Sequence, residues 1–435
     1  MPGRTNSMSS QETSLIKGTK ILVAASGSIA AVKTPLLISR LVKAGAEIKT
    51  VITPSAAKLI SPLSLSTLSR SVCYQDEDQW SKKQTKPLHI SLAEWAEIIV
   101  VAPLTTSSLA KWAQGLGEGL LASILLAYEG PVITAAGMNT GMWRNPLVQN
   151  NWQTLQNNPK IICLNPSSGL LACDRIGEGR MADQELIELA ITSTKTSIDL
   201  NGSIKKDYTG LNVLVTAGPT QEALDPARLI TNRSSGRMGV LLAQAARFRG
   251  ARVQLVHGPL SVPIAWTEGI ESFQIETAEE MRNLLKKLQP NADLVVMAAA
   301  IADFRRRNGP RNSKLNKKAF LDSIDSCMEE VPDLLKELVK NKQKQQIFLG
   351  FSALTGPDID IQRTAKLKRI HKGCDLLMAN PIDRTNSGFG ENENAGFLLG
   401  PNEMVKELKK TSKICLSHQL LDALIEIYRN ISIKI

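Results

Sequence analysis

A chain of 435 residues, 43% hydrophobic and 21% charged, is long enough for two globular domains with sizeable cores. Its 52 Lys and Arg against 41 Asp and Glu leave a net charge of +11, which favours anionic partners, phosphorylated small molecules as readily as nucleic acid, while an aromatic content of 4% argues against a surface that stacks RNA bases. Six cysteines without a CxxC pair and only four histidines argue against a structural metal; with no apolar run of membrane-spanning length, a reducing, cytoplasmic setting away from the membrane is expected.

Residues 1–18 are polar and read as a disordered tail. Residues 20–25 (KILVAA) predict a strand, and Ser26-Gly27-Ser28-Ile29 then opens a helix ending near Gly45. Residues 47–52 predict a second strand, with Thr53 starting another helix. A strand, a small-residue turn and a helix N-terminus together make a seat for phosphate. The turn is not GxGxxG, so it suits a mononucleotide such as a flavin phosphate better than a dinucleotide; taken alone, an ordinary tight turn explains it equally well. Residues 97–102 predict a buried strand running into a hydroxyl-rich loop that begins Pro103-Leu104-Thr105, and residues 130–135 repeat the pattern before Gly137-Met138-Asn139. Strands whose C-terminal ends all carry small polar residues are what a doubly wound sheet with a crevice ligand requires.

Single residues say less. A lone His89 is more often a satisfied side chain than a catalyst, and Asn139 serves equally well as a turn cap. The stretch 169–181 stands out as a glycine-rich, charged loop, expected to be mobile, with Cys173 at its centre; Arg175 and Arg180 would favour a thiolate or orient an anionic substrate. Residues 183–196 predict a closing helix, and the polar run 197–209 reads as a linker between a domain at 19–196 and a second at 210–435.

The motifs His89-Ile90-Ser91-Leu92, Gly137-Met138-Asn139-Thr140-Gly141-Met142-Trp143 and Ala172-Cys173 through Gly179-Arg180-Met181 resemble the flavin-dependent cysteine decarboxylase family, the phosphopantothenoylcysteine decarboxylases above all. The resemblance implies a flavodoxin-like, Rossmann-type domain that binds FMN and assembles as trimers with the flavin at a subunit boundary. It implies that His89 works beside the flavin, that Asn139 holds the substrate carboxylate and that Cys173 donates a proton from a flap. Ser26, Gly27, Ser28, Ile29, Thr53 and Thr105 are the candidate flavin contacts.

The second half opens on a predicted strand at 212–216, followed by Ala217-Gly218-Pro219-Thr220. The run Thr231-Asn232-Arg233-Ser234-Ser235-Gly236-Arg237-Met238-Gly239 then leads into an amphipathic helix, leaving backbone N–H groups for an anion. Strands are predicted at 252–256, 292–297, 346–351 and 375–379, and helices at 277–288, 360–371 and 416–433. After residue 297, Ala299 and its small neighbours let a ligand approach the backbone, with Asp303 able to bind a ribose or a base amine. The basic loop Arg305, Arg306, Arg307, Arg311, Lys314, Lys317 and Lys318 reads either as a solvated run or as a triphosphate clamp; without GxxxxGK[ST] it is not a Walker site.

VTAGPT, the Asn232 motif, AAAIAD and Ser313-Lys314-Leu315-Asn316-Lys317-Lys318 resemble the phosphopantothenate–cysteine ligases, and the order of the two halves is similar to that of the bifunctional bacterial enzymes of coenzyme A synthesis. The resemblance implies a second Rossmann-like domain that binds CTP with Mg²⁺ and forms dimers. It implies that Asn232 acts on an acyl-cytidylate and that Lys314, or else Lys317, acts on the triphosphate. Ala299, Asp303, Phe351, Lys368, Lys372 and the turn Pro332-Asp333-Leu334-Leu335 would surround CTP. The implied substrates are 4′-phosphopantothenate, L-cysteine and CTP, with no nucleic acid partner and no protein-ligated metal.

Overall fold

The structure, a computed structural model, describes residues 13–82, 85–172, 174–198, 203–314, 316, 327–384 and 391–432. The chain divides into two compact units, Met1–Lys206 and Asp207–Ile435. Both are mixed α/β units built on parallel sheets.

In the first unit, strands β1 (Lys20–Ala25), β2 (Glu47–Ile52), β3 (Cys73–Tyr74), β4 (Ile98–Leu104), β5 (Val132–Ala136) and β6 (Ile161–Leu164) form one sheet in the order β3-β2-β1-β4-β5-β6. Every pairing is parallel, with Ile21 opposite both Ile48 and Ile98. All seven residues of β4 are buried, which is why its sequence is unbroken apolar rather than alternating. The strand order reverses between β1 and β4, so a crevice opens there at the carboxyl ends.

Three expectations are corrected. Within the expected tail, Thr13–Ile16 forms a 3-10 turn, and Ile16, only 2% exposed, packs against the helix Gln184–Ser197. The expected mobile loop at 169–181 is largely an antiparallel hairpin of β7 (Ser167–Leu170) and β8 (Ile176–Arg180), whose ladder bonds offset the entropy of its glycines. Within the expected linker, Ile198 bridges to Ile204 and Tyr208 is fully buried. The Tyr208 hydroxyl donates to the Leu421 carbonyl at 2.7 Å, so the chain is anchored from Asp207 onward.

In the second unit, β9 (Asn212–Ala217), β12 (Arg252–His257), β13 (Glu271–Gln274), β14 (Leu294–Met297), β17 (Ile347–Leu354) and β18 (Leu376–Pro381) repeat the first unit's arrangement as β13-β12-β9-β14-β17-β18, all parallel. Two hairpins, β10 (Gln221–Asp225) with β11 (Arg228–Thr231) and β15 (Phe304–Arg306) with β16 (Met328–Glu330), stand apart from it. Beyond β18, β19 (Glu393–Leu399) and β20 (Val405–Ser412) add two antiparallel strands that the sequence did not suggest. Gly396 interrupts β19 at a bulge, and the edge strand β20 is lysine-rich; charge on a sheet edge is how such edges avoid pairing with another chain.

Local chemistry sets the helices. Thr277 and Glu280 form a reciprocal capping box at the start of Ala278–Leu288. Gly236, at φ +76, turns the chain into the helix Arg237–Phe248, and a Cβ on Gly239 would lie 2.5 Å from the Thr216 carbonyl oxygen, so this helix packs directly on the backbone of β9.

Candidate active sites

The first cleft, about 620 Å³, lies at the carboxyl rim of the first unit's sheet. Gly27, Ser28, Thr53, Thr105 and Asn139 all line it. Gly27 is sterically required: a Cβ there would sit 2.3 Å from the Cβ of Ser55, across the β1–β2 edge of the cleft. Ser28 and Thr53 each accept a backbone N–H at a helix start, from Ala30 and Ala56 at 3.3 Å. Thr105 is the N-cap residue of Thr106–Ala113. A rim of hydroxyls and helix starts fits the phosphate of a mononucleotide.

Ser26 does not line this cleft. It is fully buried, its hydroxyl donating to the Pro103 carbonyl at 2.9 Å and accepting from the Thr105 amide at 2.8 Å, so it ties the β1 turn to the β4 loop. Asn139 has two parts: its side chain caps the short helix Thr140–Trp143, accepting from Gly141 at 2.8 Å, and it also faces the cleft. An adjoining apolar pocket of about 450 Å³ is lined by Ile29, Asn139, Leu170, Leu171, Ala172 and Arg180 among others. Cys173 lies outside the described residues; its neighbour Ala172 lines this pocket. His89 is half-buried in the first turn of Leu88–Trp95 and lines neither cavity of its own chain. Lys111, unmarked in the sequence reading, also faces the cleft, one turn beyond the hydroxyl loop.

The second cleft, about 540 Å³, lies at the carboxyl rim of the second sheet, lined from the ends of β14, β17 and β18 and from the start of the helix Arg237–Phe248. It gathers Asn232, Ala299 and Asp303 with Phe351, Lys368 and Lys372, and the turn Pro332, Asp333, Leu334 and Leu335 closes one side. The Asn232 amide donates to the carbonyls of Ala300 at 3.2 Å and Ile301 at 3.0 Å. Asp333 caps Leu334–Lys340 through the Lys336 amide at 3.1 Å and accepts from Lys372 at 2.7 Å. Burial would raise the Asp333 carboxyl; the bonds from Lys372 and Lys336 outweigh it and hold the group below its ordinary value. Lys368 donates to Ser352 at 3.4 Å.

Lys314 is exposed and does not line this cleft, and Lys317 and Lys318 lie outside the described residues. Of the expected clamp, Arg305 is engaged elsewhere: it pairs with Glu329 across the β15–β16 hairpin at 2.8 Å and with Glu279 in the first turn of Ala278–Leu288 at 3.2 Å. Arg306 donates to the Gly309 carbonyl at 2.9 Å. The cleft's cations instead include Arg237, which the motif had marked only as part of an anion turn, and Lys413, which nothing marked because it sits in the lysine-rich stretch around β20. Among the described residues no group of three or more His, Cys, Asp or Glu is placed to hold a metal ion, and no helix is long and apolar enough to cross a membrane.

The family model of the DNA/pantothenate metabolism flavoprotein C-terminal domain matches residues 208–428, and the Flavoprotein model matches residues 9–195. The coenzyme A biosynthesis bifunctional protein CoaBC of Bacillus subtilis is 35% identical over 413 residues, covering 94% of this chain and 97% of that protein. The protein of the same name in Escherichia coli K12 is 34% identical over 417 residues, covering 95% and 98%. A solved PPC decarboxylase mutant complexed with pantothenoylaminoethenethiol is 35% identical, covering 40% of this chain and 97% of its own, with a TM-score of 0.38.

Proposed function

This chain belongs to the family of bifunctional coenzyme A biosynthesis proteins, and from that premise we propose how its two units divide the work. It is an enzyme of two consecutive steps, ligation of 4′-phosphopantothenate with L-cysteine and FMN-dependent decarboxylation of the product to 4′-phosphopantetheine. The observation that carries the reading is the recurrence of one geometry: each unit has its own cleft at the carboxyl rim of its parallel sheet.

The ligase belongs to the second unit. A carboxylate is a poor electrophile, so the substrate is first activated by CTP: its oxygen takes the cytidylyl group, and pyrophosphate leaves. The cysteine amine then attacks the acyl carbon, and CMP leaves with the bonding pair. Lysines neutralise charge on the phosphates, a role that Mg²⁺ entering with CTP would share. Asn232 stands beside the Ala299–Asp303 turn with both amide hydrogens engaged. It positions the acyl-cytidylate, and it stabilises the tetrahedral oxygen only by exchanging one of those two bonds. Lys314 is assigned to the triphosphate on the strength of its motif.

The decarboxylase belongs to the first unit. FMN, when bound, supplies the electron sink that lets carbon dioxide depart from the cysteine moiety. Ser28, Thr53 and Thr105 hold its phosphate, Asn139 holds the substrate carboxylate, and Cys173 returns a proton to the product carbon. Because His89 lines neither the flavin cleft nor the apolar pocket beside it among the described residues of its own chain, we assign it to the flavin site of a neighbouring copy in a trimer; the ligase units are assigned to dimers. Six cysteines without a CxxC pair support a cytoplasmic setting.

Purified protein that is yellow, and that releases CMP only when phosphopantothenate, cysteine and CTP are all present, is the expected result. AMP release from ATP at the same rate would overturn the choice of nucleotide. Carbon dioxide release and fully reduced product from Cys173→Ser at the normal rate would overturn the role of Cys173.

A further inference from the structure

Three charged side chains line the flavin cleft besides its hydroxyls: Asp76, Lys111 and Glu118. Lys111 and Glu118 pair with each other at 2.9 Å. Asp76 is tied to backbone instead. It opens the 3-10 helix Asp76–Trp80 directly after β3. Val51 of β2 pairs with Tyr74 of β3, so Asp76 leaves its strand level with Thr53, whose neighbours Pro54 and Ser55 also line the cleft. The turn is braced from both ends. The Gln75 amide donates to the Asp78 carboxylate at 2.8 Å, and the Gln79 side chain donates to the Asp76 carbonyl at 3.2 Å.

From this braced turn Asp76 reaches the opposite wall. Its Oδ1 accepts from the backbone amide of Leu120 at 2.9 Å, across 44 positions of sequence. Leu120 starts the helix Leu120–Ala127, and the N-cap residue Gly119 supplies no side-chain cap. The first amides of a helix have no partner within it, and an acidic side chain there also complements the helix dipole. Here the acceptor comes from another element. Gly119 has φ +91, and a Cβ on it would lie 3.1 Å from Asp76 Oδ2, so the carboxylate takes the space a side chain at 119 would need. Leu120 and Ile124 are fully buried, while Leu121, Ala122 and Leu125 line the cleft. One hydrogen bond therefore joins the wall carrying Thr53 to the wall carrying Leu121 and Leu125.

We propose that Asp76 is a positioning residue for the flavin: through the Leu120 amide it fixes the helix Leu120–Ala127 against the β2–β3 edge and sets the width of the cleft before FMN enters. The inference rests on the flavin reading above. A wall held in place beforehand spares the ordering that binding would otherwise require, so the tie acts on affinity for the cofactor.

The test is FMN binding to the full chain, followed by quenching of flavin fluorescence, with amide hydrogen exchange at Leu120 measured alongside. The variants are Asp76→Ala, Asp76→Asn, Gly119→Ala and the double variant Asp76→Ala with Gly119→Ala. CMP release by the second unit reports that each chain has folded. Losing one charged hydrogen bond from the wall weakens FMN binding about tenfold. The expected result is such a loss in Asp76→Ala with faster exchange at Leu120, and recovery of both in Asp76→Asn, whose side-chain oxygen still accepts from Leu120. Gly119→Ala should weaken binding by pushing the carboxylate aside, and should weaken it less once Asp76 is already alanine. Wild-type affinity in Asp76→Ala, even with faster exchange, would overturn the proposal. So would an equal loss in Asp76→Asn, which would make the charge rather than the hydrogen bond responsible, or strict additivity in the double variant. If Asp76→Ala does not fold, Asp76→Asn and Gly119→Ala carry the same comparison. A wild-type chain that binds no FMN would instead remove the flavin reading, and exchange at Leu120 would still decide whether Asp76 holds the helix.

Discussion

Lys372 donates to the carboxylate of Asp333 across 2.7 Å, joining the last turn of Asp358–Lys372 to the N-cap of Leu334–Lys340 at the wall of the second cleft. Both side chains keep contact with solvent, at 24% and 35% exposure, so the pair itself contributes less than about 1 kcal/mol. Its dependence on pH has a definite sign. The folded carboxyl lies below its ordinary value, so its contribution is complete above the ordinary carboxylate range and is lost as pH falls through the lowered folded value. Melting curves of wild type and Asp333→Asn should differ by a constant amount near neutrality and converge in acid. Asp333→Ala, which also removes the cap to Lys336, should cost about 1 kcal/mol more.

Arg249 is fully buried, bonded to Asp207 at 2.5 and 2.8 Å and to Asp422 at 2.8 Å. Removing one member of a buried pair strands the others, so Arg249→Met should destabilise the second unit by about 3–5 kcal/mol in chemical denaturation. Burial would raise the Asp207 carboxyl, but the Arg249 hydrogen bond and charge lower it overall, so this contribution too is present at neutral pH and disappears on acidification.

Gly27→Ala forces a Cβ against that of Ser55 and should spread the flavin cleft, at about 1–3 kcal/mol. Flavin absorbance per chain should fall. Ser55→Gly in the same chain removes the opposing carbon and should restore much of it. An unchanged flavin content in Gly27→Ala would show that the two turns do not bound the site.

If His89 serves a neighbouring copy, His89→Asn and Cys173→Ser chains should each be inactive in decarboxylation, yet regain activity when refolded together. Mixed assemblies then contain a site with one intact copy of each residue. No recovery on mixing would place His89 and Cys173 in the same chain's site.

Asn232→Asp puts a carboxylate within about hydrogen-bonding distance of the Ala300 and Ile301 carbonyls, where two donors now stand. Repulsion should displace the side chain and lower the rate of ligation by tenfold or more, read as CMP release. Undiminished ligation would remove Asn232 from the mechanism.

The residue order alone determined the parallel cores, because buried parallel strands such as β4 and β9 must be continuously apolar and end in small residues where the crevice opens. It also determined the two families of motif, since turns around Gly27 and Gly236 leave little freedom in residue type. Tertiary structure decided what side chains at those turns are free to do. Ser26 was taken up by backbone groups of another loop, Arg305 by two carboxylates of neighbouring elements, and the lysine-rich β20 became a sheet edge that delivers Lys413 to the cleft. Hydrogen bonds and ion pairs between residues dozens or hundreds of positions apart leave no periodic trace in a sequence, so which polar group is already engaged can be read only after the chain has folded.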